Sequence, residues 1–332
     1  MTSVLSRNGR GPAMFHGKRD LTTRDGAFNH STSDFPYILA NVMNKSLQQG
    51  YEEARTTYQI WTRSVPANDF KTMSVTQLSE APNLSVVNEN GEVTEGTLSE
   101  KREQYSIATY AKILSITRQT LINDDMGAFT RIPMMFGAAA RRVPNRLVYN
   151  ILQNNAAMAD SYNLFSTDHS NIVTAGAVPS VATINALRLL IRKQVGMQAA
   201  DSGEDNKQNV LNLDARFIIA PPDQETTIDQ ILNATFYPAT AAIVPTSTMR
   251  SLIPVIDGEL SEGDNANTAG WYLACSIDQI DTIEVAFLDG VDAPMFVEQA
   301  GFDVMGMRFR AHLDCGAKAI DFRGMAYNDG VT

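Results

Sequence analysis

A chain of 332 residues, 44% hydrophobic and 19% charged, has the apolar content of one large folded domain or two ordinary ones, which excludes a disordered protein. Its two cysteines, Cys275 and Cys315, form no CxxC pair, so neither a zinc ribbon nor a disulfide scaffold is available and a reducing compartment is expected. A formal net charge of −10 argues against a body wrapped by nucleic acid, because phosphate binding is driven by Lys and Arg.

No apolar run reaches the roughly 18 residues of a membrane span. The N-terminus, MTSVLSRNGRGPAMFHGKRD, lacks the apolar core of a signal peptide, so synthesis and use in the cytoplasm are expected. Residues 1–33 carry Arg7, Arg10, Lys18, Arg19 and Arg24 against Asp20 and Asp25, a net +3 that leaves −13 for the remainder. With four glycines and no apolar period they read as an extended arm, which could touch DNA or simply be solvated.

Helical patterning begins at SDFPYILANVMNKSLQQG. Asp34 is placed to cap, Pro36 suits the first turn, Gly50 reads as the stop, and Ile38, Val42 and Leu47 share one face. A short aromatic stretch follows, with Tyr51, Tyr58 and Trp61. Within 70–120, LSVVNENGEVTEGTL holds Asn90-Gly91, a hairpin signal, in a strongly polar setting of Glu89, Glu92, Glu95, Glu100, Lys101, Arg102 and Glu103. A two-stranded ribbon alone is marginal in water, so this one is expected to lie on something else. YSIATYAKILSITRQTLIND then reads as buried strand.

Asn123-Asp124-Asp125 places a cap and two carboxylates at a helix start, and Ile132, Phe136, Ala140, Val143, Leu147 and Ile151 carry helical spacing on to about Asn155. Pro133 suits a first turn; Pro144 falls inside the pattern and predicts a kink, at a cost of about 3 kcal/mol. TINALRLLIRKQVG and DQETTIDQILNA read as further helices, 197–212 as a polar loop, and ARFIIAPP as a buried strand. The last third is β-rich, in MRSLIPVI, GWYLACS, DTIEVAFLDG and MRFRAHLDCGAKAIDFRG, with a long mobile loop expected over 258–270.

Candidate chemistry is sparse. None of His16, His30, His169 and His312 has another histidine within ten residues. His312 stands three before Cys315, a spacing that sends the two side chains to opposite faces of a strand. GPAMFHGKR misses the P-loop spacing, and GxSxG and GxGxxG are absent. Asp168-His169, in LFSTDHSN beside Ser166 and Ser170, is the most enzyme-like feature, set against a structural turn whose side chains cap backbone groups. Asp257, Glu259, Glu262 and Asp264 lack calcium-loop spacing and read as a solvated rim.

Five stretches occurring in order carry a resemblance: DFPYILANVMNKSLQQGYEEARTTYQIW, SITRQTLINDDMGAFTRIP, YNLFSTDHSN, GWYLACSIDQIDTIEVAFLDG and AHLDCGAKAIDFRGMAYNDG. From about Asp34 to Gly330 the chain resembles the Mu-like major head subunits and the capsid halves of prohead-protease–capsid fusions. The resemblance implies the α+β Hong Kong 97-type capsid fold of tailed phages. It divides the chain into an N-terminal arm and first helix (1–50), an extended hairpin loop with flanking strands (51–122), a peripheral domain with a spine helix (123–174), an axial domain (175–290) and closing β segments of the peripheral domain (291–332). It further implies a non-enzymatic major capsid protein of the virion, assembled in the bacterial cytoplasm into hexamers and pentamers of an icosahedral shell around phage DNA.

The implied partners are copies of the chain itself, a portal protein, a scaffold or maturation protease, a decoration protein where one exists, and double-stranded DNA held non-specifically. No membrane, cofactor, metal or catalytic residue is implied. No protease domain or charged helical scaffold precedes the arm, so those functions are expected on separate chains or already removed. The inter-subunit candidates are Arg7, Arg10, Lys18, Arg19, Arg24, Asn90, Gly91, Glu92 and Lys101, and Pro144 and His169 are structural candidates. Some relatives weld subunits through Lys–Asn bonds; Lys101 and Asn328 are conceivable here, although no local motif supports them. The alternatives are an encapsulin-type nanocompartment shell, which shares the fold, and a serine-type hydrolase built on His169.

Overall fold

The computed structural model describes residues 36–79, 98–117, 131–197, 209–233, 249–262, 265–300 and 306–330, with single positions between 86 and 93. The chain divides into two units, Met1–Leu39 and Ala40–Thr332. Of the first, only the opening turn of helix α1 (Pro36–Glu53) is described. Every other element lies in the second.

The first sheet is organised by one long strand, β11 (Gly306–Ala319). Cys315 pairs with Ala108 of β4 (Ala108–Thr117) on one side and with Phe287 of β9 (Ile283–Leu288) on the other. β10 (Met295–Ala300) runs beside the N-terminal half of β11, and β1 (Arg63–Ala67) lies parallel to β9 beyond the C-terminal half. The second sheet has the order β5 (Ile172–Val173), β12 (Met325–Asn328), β8 (Trp271–Cys275), β6 (Ala215–Ala220) and β7 (Ile253–Ile256). Thus β9 joins the first sheet although it falls within 175–290, and the last strand, β12, joins the second.

Both faces of the second sheet are covered, which is why its central strands are apolar at successive positions. Phe217, Ile219, Tyr272 and Ala274 face a core shared with the first sheet, reaching Val285, Phe287 and Leu313. Ile218, Ala220, Trp271 and Leu273 face a second core closed by α3 (Val181–Arg192) and α4 (Glu225–Leu232). A capping box starts α3: Thr183 N–H donates to Ser180 Oγ at 3.1 Å, and Ser180 N–H donates to Thr183 Oγ1 at 2.8 Å.

Helix α2 (Ile132–Asn154) lies along β11 and buries Val148, Tyr149 and Leu152 in the shared core. Pro133 sits in its first turn and the helix runs on through Pro144. It ends where Asn155 turns left-handed at φ 45°. The side chain of Asn155 both accepts from Phe165 N–H (2.7 Å) and donates to Phe165 C=O (2.9 Å). The start expected at Asn123-Asp124-Asp125 falls outside the described residues.

Three local expectations change. α1 does not stop at Gly50; it continues to Glu53, and Gly50 is instead a contact point, since a Cβ there would overlap the Met134 carbonyl of α2. A Cβ on Gly137 would likewise overlap the Leu47 carbonyl, so the two helices cross backbone to backbone at this pair. β4 is a strand as read, but it is exposed along its length because it lies at the sheet edge. Finally, 258–270 is not all loop: Gly258–Ser261 forms a 3-10 turn capped by Asp257, with Leu260 buried.

Candidate assembly surfaces

β2 (Met73–Leu78) and β3 (Glu100–Tyr105) pair antiparallel from Met73↔Tyr105 to Leu78↔Glu100, and among the described residues with no other strand. The root of this ribbon is anchored by polar contacts. Tyr105 O–H donates to Glu284 Oε2 at 3.2 Å, and Ala159 N–H donates to Glu103 Oε1 at 2.7 Å. Lys318 Nζ stands 3.8 Å from Glu103, and Gln77 Nε2 donates to Ile320 C=O at 2.8 Å. Tyr105 and Ile107 join Ala67, Ala286 and Ile320 in a small core. Burial raises the Glu284 carboxyl above its usual range; the Tyr105 hydroxyl opposes the shift, nearby Asp281 adds to it, and Arg63 opposes it. Burial also raises the Tyr105 phenol, reinforced by Glu284.

Beyond the root the ribbon buries little. Val86 is 92% and Val93 76% exposed, and Leu78 and Leu98 are exposed as well. Among the sequence-identified residues, Gly91 is exposed, while Asn90, Glu92 and Arg7, Arg10, Lys18, Arg19 and Arg24 lie outside the described residues. Lys101 is at the ribbon root, 3.8 Å from Asp160. Asn328 is buried in β12, its side-chain carbonyl accepting from Ala177 and Gly330 N–H, so it is committed to the fold of its own subunit.

His169 sits buried in its turn, with Nδ1 3.1 Å from Leu164 C=O and Nε2 3.0 Å from Asp160 Oδ2. Its ring stacks on Phe322 at 3.7 Å. Ser166 Oγ accepts from the His169 backbone N–H at 3.1 Å rather than facing the imidazole. Both ring nitrogens lie within hydrogen-bond distance of acceptors in the protein, an arrangement that braces the turn. Among the described residues no three His, Cys, Asp or Glu side chains group as metal ligands.

Sequence reading missed two polar seams. Asp257 accepts from Asn145 Nδ2 (3.1 Å), from Thr57 Oγ1 and from Glu259 N–H (2.9 Å), tying α2 to two loops. Arg141 lies 4.6 Å over the Tyr51 ring and 3.3 Å from Asp292, which also takes the Tyr51 hydroxyl. These partners are too far apart in sequence for any local motif, and the acidic run at 257–262 that looked like a rim is partly structural: Glu259 pairs with Arg146 at 3.1 Å.

The described residues form a mixed α+β fold of two sheets, with a long helix on one of them and a two-stranded ribbon anchored at its root. Residues 100–328 match the family described as phage capsid protein, and the chain belongs to that family. Its fold is shared with a chain described as Microbacterium phage Oxtober96 (10% identity; 83% of this chain and 91% of that one; TM-score 0.56). It is shared with the capsid of Myoviridae phage XM1 (11%; 84% and 92%; 0.55) and the capsid of a native GTA particle (9%; 82% and 88%; 0.54). No curated protein sequence matches the chain. It is a bacteriophage capsid protein of the Hong Kong 97 type.

Proposed function

We propose that many copies of this chain form the hexamers and pentamers of an icosahedral shell that encloses phage DNA in the virion. The ribbon is the observation that carries this reading. Among the described residues β2 and β3 pair only with each other, and the exposed Leu78, Val86, Val93 and Leu98 are covered by nothing in the described subunit. Exposed apolar groups of this kind on a projecting element favour a partner surface. In this reading the ribbon lies across the neighbouring subunit, residues 1–33 latch neighbours or meet DNA, and α2 is the spine of a peripheral domain. Pro144 and His169 serve the shape and local stability of the subunit. Portal, scaffold or protease, and any decoration protein act on the assembled shell.

Electron microscopy of the purified protein tests the proposal. Closed particles with five-fold and six-fold clusters are expected, and those from infected cells should protect DNA from nuclease. A protein that stays monomeric across concentration and salt would overturn it. Particles filled with protein cargo in place of DNA would move the assignment to a nanocompartment shell.

A further inference from the structure

A cavity of about 650 Å³ opens beside the His169 turn. Four segments distant in sequence line it: the ribbon root, the His169 turn, the end of α3 with the residues after it, and the turn before β12. Each wall is fixed by bonds of its own. Gln194 Nε2 donates to His169 C=O at 2.9 Å and to Ser170 C=O at 3.3 Å, and Gly196 N–H donates to Asn209 C=O at 2.8 Å. Arg323 Nε donates to Asp321 Oδ1 at 2.9 Å, and Arg323 Nη2 to Gln77 Oε1 at 3.3 Å. Gln77 is held in turn by Ile320 C=O, and Phe322 is stacked on the His169 ring. The space is therefore a pre-formed cleft, within the roughly 300–1,000 Å³ of small-molecule sites.

Its lining has two characters. Leu190, Val195 and Met197 form an apolar side, with Val195 38% exposed. Cations come from three of the segments: Lys101 of β3, Lys193 just after α3, and Arg323. Lys101 faces Asp160 at 3.8 Å and Arg323 is paired with Asp321, whereas the exposed Lys193 has no ion pair among the described residues. Asp168 is the one carboxylate among the described lining residues. In a chain of formal net charge −10, positive charge is thus gathered around an apolar recess. Lysines offer charge-assisted hydrogen bonds to an anionic group, and the apolar side gains by taking an apolar body out of water. A simple inorganic ion would leave that side unused. We propose that this cleft binds a small organic anion, a carboxylate, sulfonate or phosphate carried on an apolar body. The inference does not depend on how copies of the chain assemble.

Fluorescence titration of the unassembled full-length chain with 8-anilinonaphthalene-1-sulfonate, an apolar aromatic sulfonate, tests it. Saturable binding of one dye per subunit is expected. Lys193→Glu, at an exposed position, should leave the circular dichroism unchanged and weaken the dye about tenfold or more, because it sets like charges against each other. Val195→Asp should weaken it comparably from the apolar side. Lys45→Glu, on α1 and outside the lining, is the control and should bind as the wild type does. Decanoate should displace the dye at concentrations where inorganic phosphate does not. No saturable binding, or equal affinity in the wild type and both cleft variants, overturns the site. Sensitivity to Lys193→Glu without sensitivity to Val195→Asp, or equal displacement by inorganic phosphate, would mean a bare anion site and overturns the apolar ligand. A loss in Lys45→Glu as large as in Lys193→Glu would mean that net charge alone governs the dye, and overturns the cleft as its seat.

Discussion

Glu284 is 7% exposed near the start of β9, where the Tyr105 hydroxyl reaches it from the ribbon root. Burial disfavours its ionised form more than the phenol hydrogen bond and Arg63 favour it. A carboxyl raised in the folded state holds its proton more tightly there than in the unfolded chain. Its contribution to stability is therefore complete below the ordinary Glu range of about 4.3 and is lost as pH rises through the raised value. Glu284→Gln keeps an acceptor for Tyr105 and cannot ionise. Urea unfolding of the unassembled variant should show a flatter pH profile above about pH 4, and higher stability than wild type at neutral pH. Parallel profiles would show that this carboxyl is uncoupled from folding. The pair is separated by 179 positions, so the sequence displays two ordinary polar residues and no sign of the contact. By contrast, two partners of the His169 turn, Ser166 and Leu164, are its sequence neighbours.

The crossing of α1 and α2 shows how an element can be read correctly and its punctuation wrongly. Apolar spacing located both helices, and Pro133 marked the start of α2 as described. Gly50, however, resembles a stop signal only when its surroundings are unknown; what requires glycine there is the Met134 carbonyl of the other helix. The two roles predict opposite outcomes for alanine substitution in this pair. In an isolated helix Gly→Ala gains about 1 kcal/mol, while forcing a methyl into a filled site costs about 1–3 kcal/mol. At Gly137 the obstruction is backbone, the Leu47 carbonyl and the Tyr51 amide, which no side-chain rotation can relieve. Gly137→Ala should therefore lower the thermal midpoint of the subunit; an unchanged or raised midpoint would mean that the helices separate freely. β4 taught a similar lesson, since an apolar run at a sheet edge and one in a core look alike in sequence.

At the scale of the molecule, the class and order of the elements were legible because each central strand alternates between two apolar surroundings. What was not legible is that β11 unites strands from distant parts of the chain, or that one core reaches both sheets. That shared core has a kinetic consequence. Cys315 lies in it and Cys275 behind the second sheet, each with no accessible surface, and burial pushes both thiols up to about 12. A buried protonated thiol is inert to alkylating reagents, so modification must wait for an opening of the structure. If the sheets separated easily, the two sulfurs would be modified on different clocks. Because Phe217 and Tyr272 of one sheet are packed with Val285 and Leu313 of the other, exposing either thiol breaks the packing around both. In the unassembled subunit, mass-resolved labelling should find Cys275 and Cys315 modified at one common rate, that of global unfolding; two distinct rates would reveal a fault line between the sheets.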